Sequence, residues 1–303
     1  MKLLFTIIIL LQLATLKTSA QGCSDAGFCS IKYHIKTNKN IAKENSFSIG
    51  NILGLADKNV SVNNTYINAN IKLYNDLFLD TKINAIYASG NLGTNFNIGD
   101  ITTTLQYGAY SNSQTNTSVS IGAGIKIPLS GANNKINGAP APMHYQSTLG
   151  TTDVLAGISI IKNKWEVVTG VQIPLTTNNN NTFLTTNTAN NKYINTNKFE
   201  RKSDVILKLA YQTNKALKKI YLKTSLVCIY HTAQDSYINN LNQRIKIANS
   251  NGPNVNVLLT ANYDVSDVKG LKFIVSTPSF INNVRADGLR RNFAFGAEYR
   301  ISF

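Results

Sequence analysis

The stretch that decides the fold is Ser118-Val119-Ser120-Ile121-Gly122-Ala123-Gly124-Ile125-Lys126-Ile127-Pro128-Leu129. Val119, Ile121, Ala123, Ile125, Ile127 and Leu129 form one series; Ser118, Ser120, Gly122, Gly124 and Lys126 form the other. A period of two places the series on opposite faces of a β-strand. The run is about twice the length of an ordinary strand in a soluble protein. It matches what a tilted strand needs to cross a bilayer. The alternation recurs in Trp165 to Leu175, in Ile220 to Tyr230 and in Phe293 to Phe303.

Extending this reading outward yields about 12 candidate strands, near 46–55, 60–74, 77–88, 99–110, 116–129, 153–162, 164–175, 204–213, 218–231, 255–265, 270–278 and 293–303. Counted back from the C-terminus, the connections alternate long and short, with 279–292, 232–254, 176–203 and 130–152 long and 266–269, 214–217 and 163 short. A soluble sandwich has no reason to sort its loops this way. Outer-membrane barrels have short turns on the periplasmic side and long loops outside. In lipid every backbone N–H and C=O must be paired within the protein, so only a sheet closed on itself can cross. The fold class expected is therefore all-β: an antiparallel transmembrane β-barrel with short periplasmic turns and long extracellular loops. The long loops, such as Thr176 to Thr182 and Gly131 to Gln146, are polar and of low complexity, and are expected to be mobile and without a core.

Composition agrees. The 303 residues carry 30 Lys+Arg against 15 Asp+Glu, a net charge of +15. Only 15% are charged, below the roughly 25% of soluble domains. The polarity comes instead from 41 Asn, with abundant Thr and Ser. Mean hydropathy is −0.10 with one strongly apolar window, which excludes a bundle of membrane-spanning helices. The basic balance alone is compatible with nucleic acid, but no basic helix or stacking-aromatic motif accompanies it, so no nucleic-acid partner is expected.

Residues 1–20 read as a signal peptide. Lys2 is the positive n-region, Leu3 to Leu16 the apolar core, and Thr18-Ser19-Ala20 the small residues before a cut. Residues 21–44 follow as an N-terminal periplasmic segment or a lumen plug, and 45–303 as the barrel. Export permits disulfides. Cys23 and Cys29, in the short turn-rich segment Gly22 to Cys29, are the expected pair. Lipidation of Cys23 is the competing reading, weakened by Ala20 where a lipobox wants Leu. Cys228 lies in an apolar series and reads as a small buried or lipid-facing hydrophobe.

The final strand, Phe293-Ala294-Phe295-Gly296-Ala297-Glu298-Tyr299-Arg300-Ile301-Ser302-Phe303, resembles the terminal strand of bacterial outer-membrane barrels. That resemblance implies recognition by the barrel-assembly machinery through alternate aromatics, here Tyr299 and the terminal Phe303. Gly124-Ile125-Lys126-Ile127-Pro128 and Gly170-Val171-Gln172-Ile173-Pro174 are similar to strand endings of the transporter-like barrels named for phenol-degradation meta-pathways, distant relatives of fatty-acid channels. Localisation in the outer membrane of a Gram-negative bacterium follows, with outer-membrane lipid and lipopolysaccharide as partners.

If the apolar series faces lipid, the other series lines a lumen. It holds Lys72, Lys82, Lys126, Lys208, Lys223, Lys272 and Arg300 against Asp80, Glu166 and Glu298. Basic linings favour anions. Twelve strands lie between barrels filled by side chains and open porins, so a channel and a filled interior both remain. The function expected is a channel or transporter for small, anionic or amphipathic solutes; the alternative is a structural or surface-binding barrel with a closed lumen. A barrel hydrolase is the third class. It would need a Ser–His pair with an orienting group, and the three histidines, His34, His144 and His231, show no such motif. His231, at a strand end, reads as solvated or interfacial. Neither metal-ligand spacing nor a nucleotide fingerprint occurs, so no metal and no cofactor are expected.

Overall fold

The computed structural model describes residues 20–21, 44–185, 193–213, 219–280, 284–288 and 290–303. The expected signal peptide, the segment after it and the Cys23–Cys29 pair lie outside these residues, save for Ala20–Gln21 and Glu44.

The alternating segments form twelve antiparallel strands: β1 Ser46–Ala56, β2 Ser61–Tyr74, β3 Leu77–Gly90, β4 Gly93–Asn112, β5 Thr117–Pro128, β6 Asp153–Lys162, β7 Trp165–Pro174, β8 Asp204–Gln212, β9 Ile220–His231, β10 Gly252–Asp264, β11 Lys269–Phe280 and β12 Arg290–Ser302. Each pairs with its neighbour in sequence, and β12 returns to β1, with Ser302 opposite Ser46 and Phe295 opposite Leu53. The ring has no free edge. The terminal residue extends the seam, since the Phe303 amide donates to the Asn45 carbonyl at 2.9 Å.

Alternation decides the two faces. On β8, Ile206 is 1% exposed while Leu207 is 52% exposed. The outward set is apolar nearly everywhere, including Phe47, Ile49, Ile67, Ile121, Ile125, Leu209, Leu226, Phe273 and Phe295. Cys228 belongs to it, half-buried. The inward set on β1–β5 is polar and buried: Ser48, Asn64, Asn68, Asn70, Thr102, Thr104, Gln106 and Ser120.

The short-turn end holds the connections at 75–76, 113–116, 163–164, 213–219 and 265–268. Asn163 opens the two-residue hairpin between β6 and β7 at φ 56, a conformation that asparagine tolerates well. The opposite end carries the long connections 129–152, 175–203, 232–251 and 281–289. Two tight turns share that end, 57–60 and 91–92. The second corrects the sequence reading, which began the fourth strand at 99. β4 runs 20 residues from Gly93, because Phe96 and Ile98 continue the outward series while Asn95 and Asn97 reach inward toward the loops.

The loops overturn a second expectation: they build cores of their own. Tyr145, Phe183 and Tyr193 pack with Val60, Val62, Ile86 and Ala88 from the barrel rim. Met143, Leu149, Phe199, Ile247 and Ala286 form another cluster, drawn from all four long loops. The asparagines that read as low complexity act as fasteners. Asn178 Oδ1 accepts the amides of Asn180 and Asn181, at 3.1 and 3.0 Å. Asn181 takes the amide of Phe183 and the hydroxyl of Thr196, and donates to the Ala132 carbonyl at 3.1 Å. Side chains of this kind replace the regular ladder that a loop lacks, so few aromatics suffice to hold a cap. At Gly288, φ is 67 and a Cβ would stand 2.5 Å from the His144 amide, so only glycine lets these two loops touch.

Ala123 lies outward at the middle of β5. Ala123→Arg is expected to cost about 2–4 kcal/mol in a bilayer. Denaturant titration of the liposome-inserted chain measures it.

Candidate functional site

The barrel interior carries two charged zones. The first lies toward the short-turn end. Glu166 on β7 is held between Lys208 on β8 and Lys223 on β9; Lys208 Nζ is 3.0 Å away, and Lys223 pairs with the other oxygen. Further round the ring, Lys272 on β11 stands 3.5 Å from Glu298 on β12, whose Oε2 also accepts, across the seam, the Tyr66 hydroxyl at 2.7 Å. Lys82 Nζ sits 4.3 Å from the centre of the Tyr66 ring, a cation–π contact. Tyr66 can lie there only because residue 50 on β1 has no side chain: a Cβ would fall 2.4 Å from the ring. Asp80 accepts from Asn68 at 3.0 Å and from Asn70 at 3.4 Å. Lys72 pairs with Glu44 near the rim, and Arg300, exposed, lies beside Gly270. Of the residues expected to line the lumen, Glu166, Lys208 and Lys223 form one cluster, and Lys82, Lys272 and Glu298 a second one through Tyr66. Lys126 stands apart from both, at the other end of the barrel.

The sequence reading missed part of the interior. On β6–β9 the inward series includes Leu155, Val168, Ile206, Ala210, Val227 and Ile229, all buried. The signal was there in unbroken apolar runs, Val205-Ile206-Leu207 and Leu226-Val227-Cys228-Ile229-Tyr230, where strict alternation fails. The interior is therefore two-sided, with an amide and hydroxyl wall on β1–β5 and an apolar wall on β6–β9 that leads down to Lys208 and Lys223.

The second charged zone lies beneath the loop cap. Lys126 Nζ meets Asp153 Oδ2 at 2.8 Å, and Gln172 donates to the same oxygen at 2.5 Å. Arg201, from the loop before β8, pairs with Asp204 and stands 3.7 Å from Asp153. Asp204 also pairs with His231 Nδ1. His231 is thus buried beneath the cap rather than solvated, because the loops that were expected to be open fold over its strand end. Arg285 pairs with Asp287 in the last loop, near Asp235. His144 is buried as well, its ring 5.2 Å from that of Tyr193.

Electrostatics in the cap follows from burial. Desolvation would lower the Arg201 pKa, but Asp204, Asp153, Asp287 and Asp235 outweigh it and raise it. Burial acts to raise the Asp287 pKa, yet Arg285 and Arg201 hold it well below the carboxylate range. Asp235 is different: burial first, then the neighbouring Asp287 charge, push it up to about 7. Breaking one member from a buried ion pair of this kind costs about 3–5 kcal/mol, so these contacts tie the loops to the rim.

No family model matches the chain, and no curated protein matches it. Solved barrels do. The KdgM porin is 10% identical over 85% of this chain and 99% of that one, with a TM-score of 0.44. The CymD monoaromatic hydrocarbon channel is 9% identical over 95% and 98%, with a TM-score of 0.44. Outer membrane phospholipase A from Escherichia coli is 9% identical over 86% and 94%, with a TM-score of 0.39. The likeness is to outer-membrane β-barrels as a fold; two channels and a phospholipase share it alike.

Asp235 gives a pH test. Its folded pKa is raised above that of the unfolded chain, so its stabilising contribution is full below about pH 4 and is lost as pH rises through about 7. Asp235→Asn is expected to match the parent near pH 4 and to raise the apparent unfolding temperature at pH 8. Heat-shift electrophoresis at the two pH values measures the difference.

Proposed function

We propose that the chain is exported by its N-terminal signal peptide, inserts into the outer membrane of a Gram-negative bacterium and passes small anionic or amphipathic solutes. The observation that carries this reading is the interior cationic belt. Lys208, Lys223 and Lys272 face Glu166 and Glu298, with Lys82 close by over Tyr66. One more cation than anion among the ion-paired five leaves a positive field where an anion would be drawn. The apolar wall of Leu155, Val168, Ile206 and Val227 is packed against its neighbours above that belt, so in this reading the organic part of an amphipathic solute meets it only when those side chains part.

Accessibility of the belt supports passage over a merely packed interior: the side chains of Lys208, Lys223 and Lys272 are 24%, 25% and 29% exposed, so the short-turn mouth offers them to a solute. In this reading the short-turn end, with Tyr299 and Phe303, faces the periplasm and the assembly machinery, and the loop cap faces outward among lipopolysaccharide. Solute entry then requires the cap to move.

The cap itself favours the second reading, a surface-binding or structural barrel with a closed lumen, since four loops are fastened across one mouth. Planar-bilayer recording separates the two. The first expects conductance with anion preference, and Lys208→Ala with Lys223→Ala moves the reversal potential toward cations. Absence of conductance in the parent chain favours the closed barrel. Conductance without any change of selectivity in the double variant removes the cationic belt from the account.

A further inference from the structure

On the outside of the barrel a carboxamide breaks the apolar belt at mid-height. Asn51 is the central residue of the eleven in β1, and its side chain points outward between Ile49 and Leu53. It is the one carboxamide at the middle of an outward face among the described strands. Its Nδ2 donates to Asn63 Oδ1 at 2.5 Å and to Thr65 Oγ1 at 2.8 Å, both on β2 and both on the outward series. These two bonds use both amide hydrogens of Asn51. Asn51 Oδ1 and Asn63 Nδ2 retain no partner among the described residues. In hydrocarbon an unsatisfied amide is expensive.

The surroundings form a shallow notch. Asn51 lies opposite Thr65 on one side and Ala297 on the other. Thr65 in turn faces Ala85. Around these small side chains stand larger ones, Phe47, Leu53, Ile67, Tyr87 and Phe295, all exposed. Small residues let two backbones approach closely in a membrane, and side-chain amides then bond across the contact.

The geometry points to a second copy of this chain as the occupant, docked on the β12–β1–β2 face within the membrane. What is left unused here is one acceptor, Asn51 Oδ1, and donors on Asn63 Nδ2, on adjacent residues of the same surface. A two-fold axis along the membrane normal presents the same patch to itself. Asn63 Nδ2 of each copy then meets Asn51 Oδ1 of the other, and both orphans are satisfied twice by one symmetric contact. Acyl chains of lipid offer neither donor nor acceptor. The inference rests on the barrel lying in lipid and is independent of what its lumen passes.

The test is subunit counting of the full-length chain in liposomes, by single-molecule photobleaching across a dilution series. The parent is expected to dimerise. Asn51→Leu with Asn63→Leu is expected to weaken the dimer about tenfold or more. Thr103→Val, on the outward face of β4, is expected to leave it unchanged. Heat-shift electrophoresis reports folding of each variant, and Asn63→Ala alone replaces the double variant if that one fails to fold. A parent chain that stays monomeric at all dilutions, with or without a copurifying lipid, overturns the inference. So does a variant dimer that dissociates at the parent's concentration.

Discussion

A strand in hydrocarbon cannot leave a peptide group unpaired, and everything else in this molecule follows from how that demand is met. Neighbouring strands satisfy one another, but the first and last would each expose an edge. Pairing β12 with β1 removes both edges. Once the ring is closed, each strand has an outside that must tolerate lipid and an inside that need not. The period-two pattern is the mark of that division, and the low overall charge follows, since about half the strand positions meet no water.

Closure also explains why the interior can hold groups that would be costly elsewhere. Glu166 between two lysines, Glu298 with Tyr66 and Lys272, and Asp204 between Arg201 and His231 are all contacts between different strands or between a strand and a loop. None is local in sequence beyond Arg201–Asp204. They come together because the ring brings inward positions face to face. Hydrogen-bonded ion pairs of this type set specific geometry more than they add net stability. The interior therefore reads as an arrangement of positioned charges framed by an apolar wall on one side and amides on the other.

The strands were largely legible from sequence, because a two-faced environment imposes a periodicity that needs no partner to be seen. The inward direction of Lys126, Glu166 and Glu298 could be read from the same period. Which charge meets which could not: Glu166 and Lys223 belong to strands two apart in the ring, and nothing local encodes that distance. The apolar wall escaped because inward Ile206 and Ile229 sit between outward apolar neighbours, so the two faces merge into one run. The cap escaped for the opposite reason. Its aromatics, Tyr145, Phe183, Tyr193 and Phe199, are scattered singly through polar sequence, and only the fold gathers them. His231 was misread with the cap, since its burial depends on loops that bear no periodic pattern.

The asparagine fastenings of those loops set the character of the surface above the barrel. Asn178, Asn181 and Asn239 spend their side chains on backbone groups of their own or neighbouring loops. The shape of this end is thus a conformational property, distributed over segments far apart along the chain. An antibody raised against it would bind a discontinuous epitope, and short linear peptides copied from the loops would not compete.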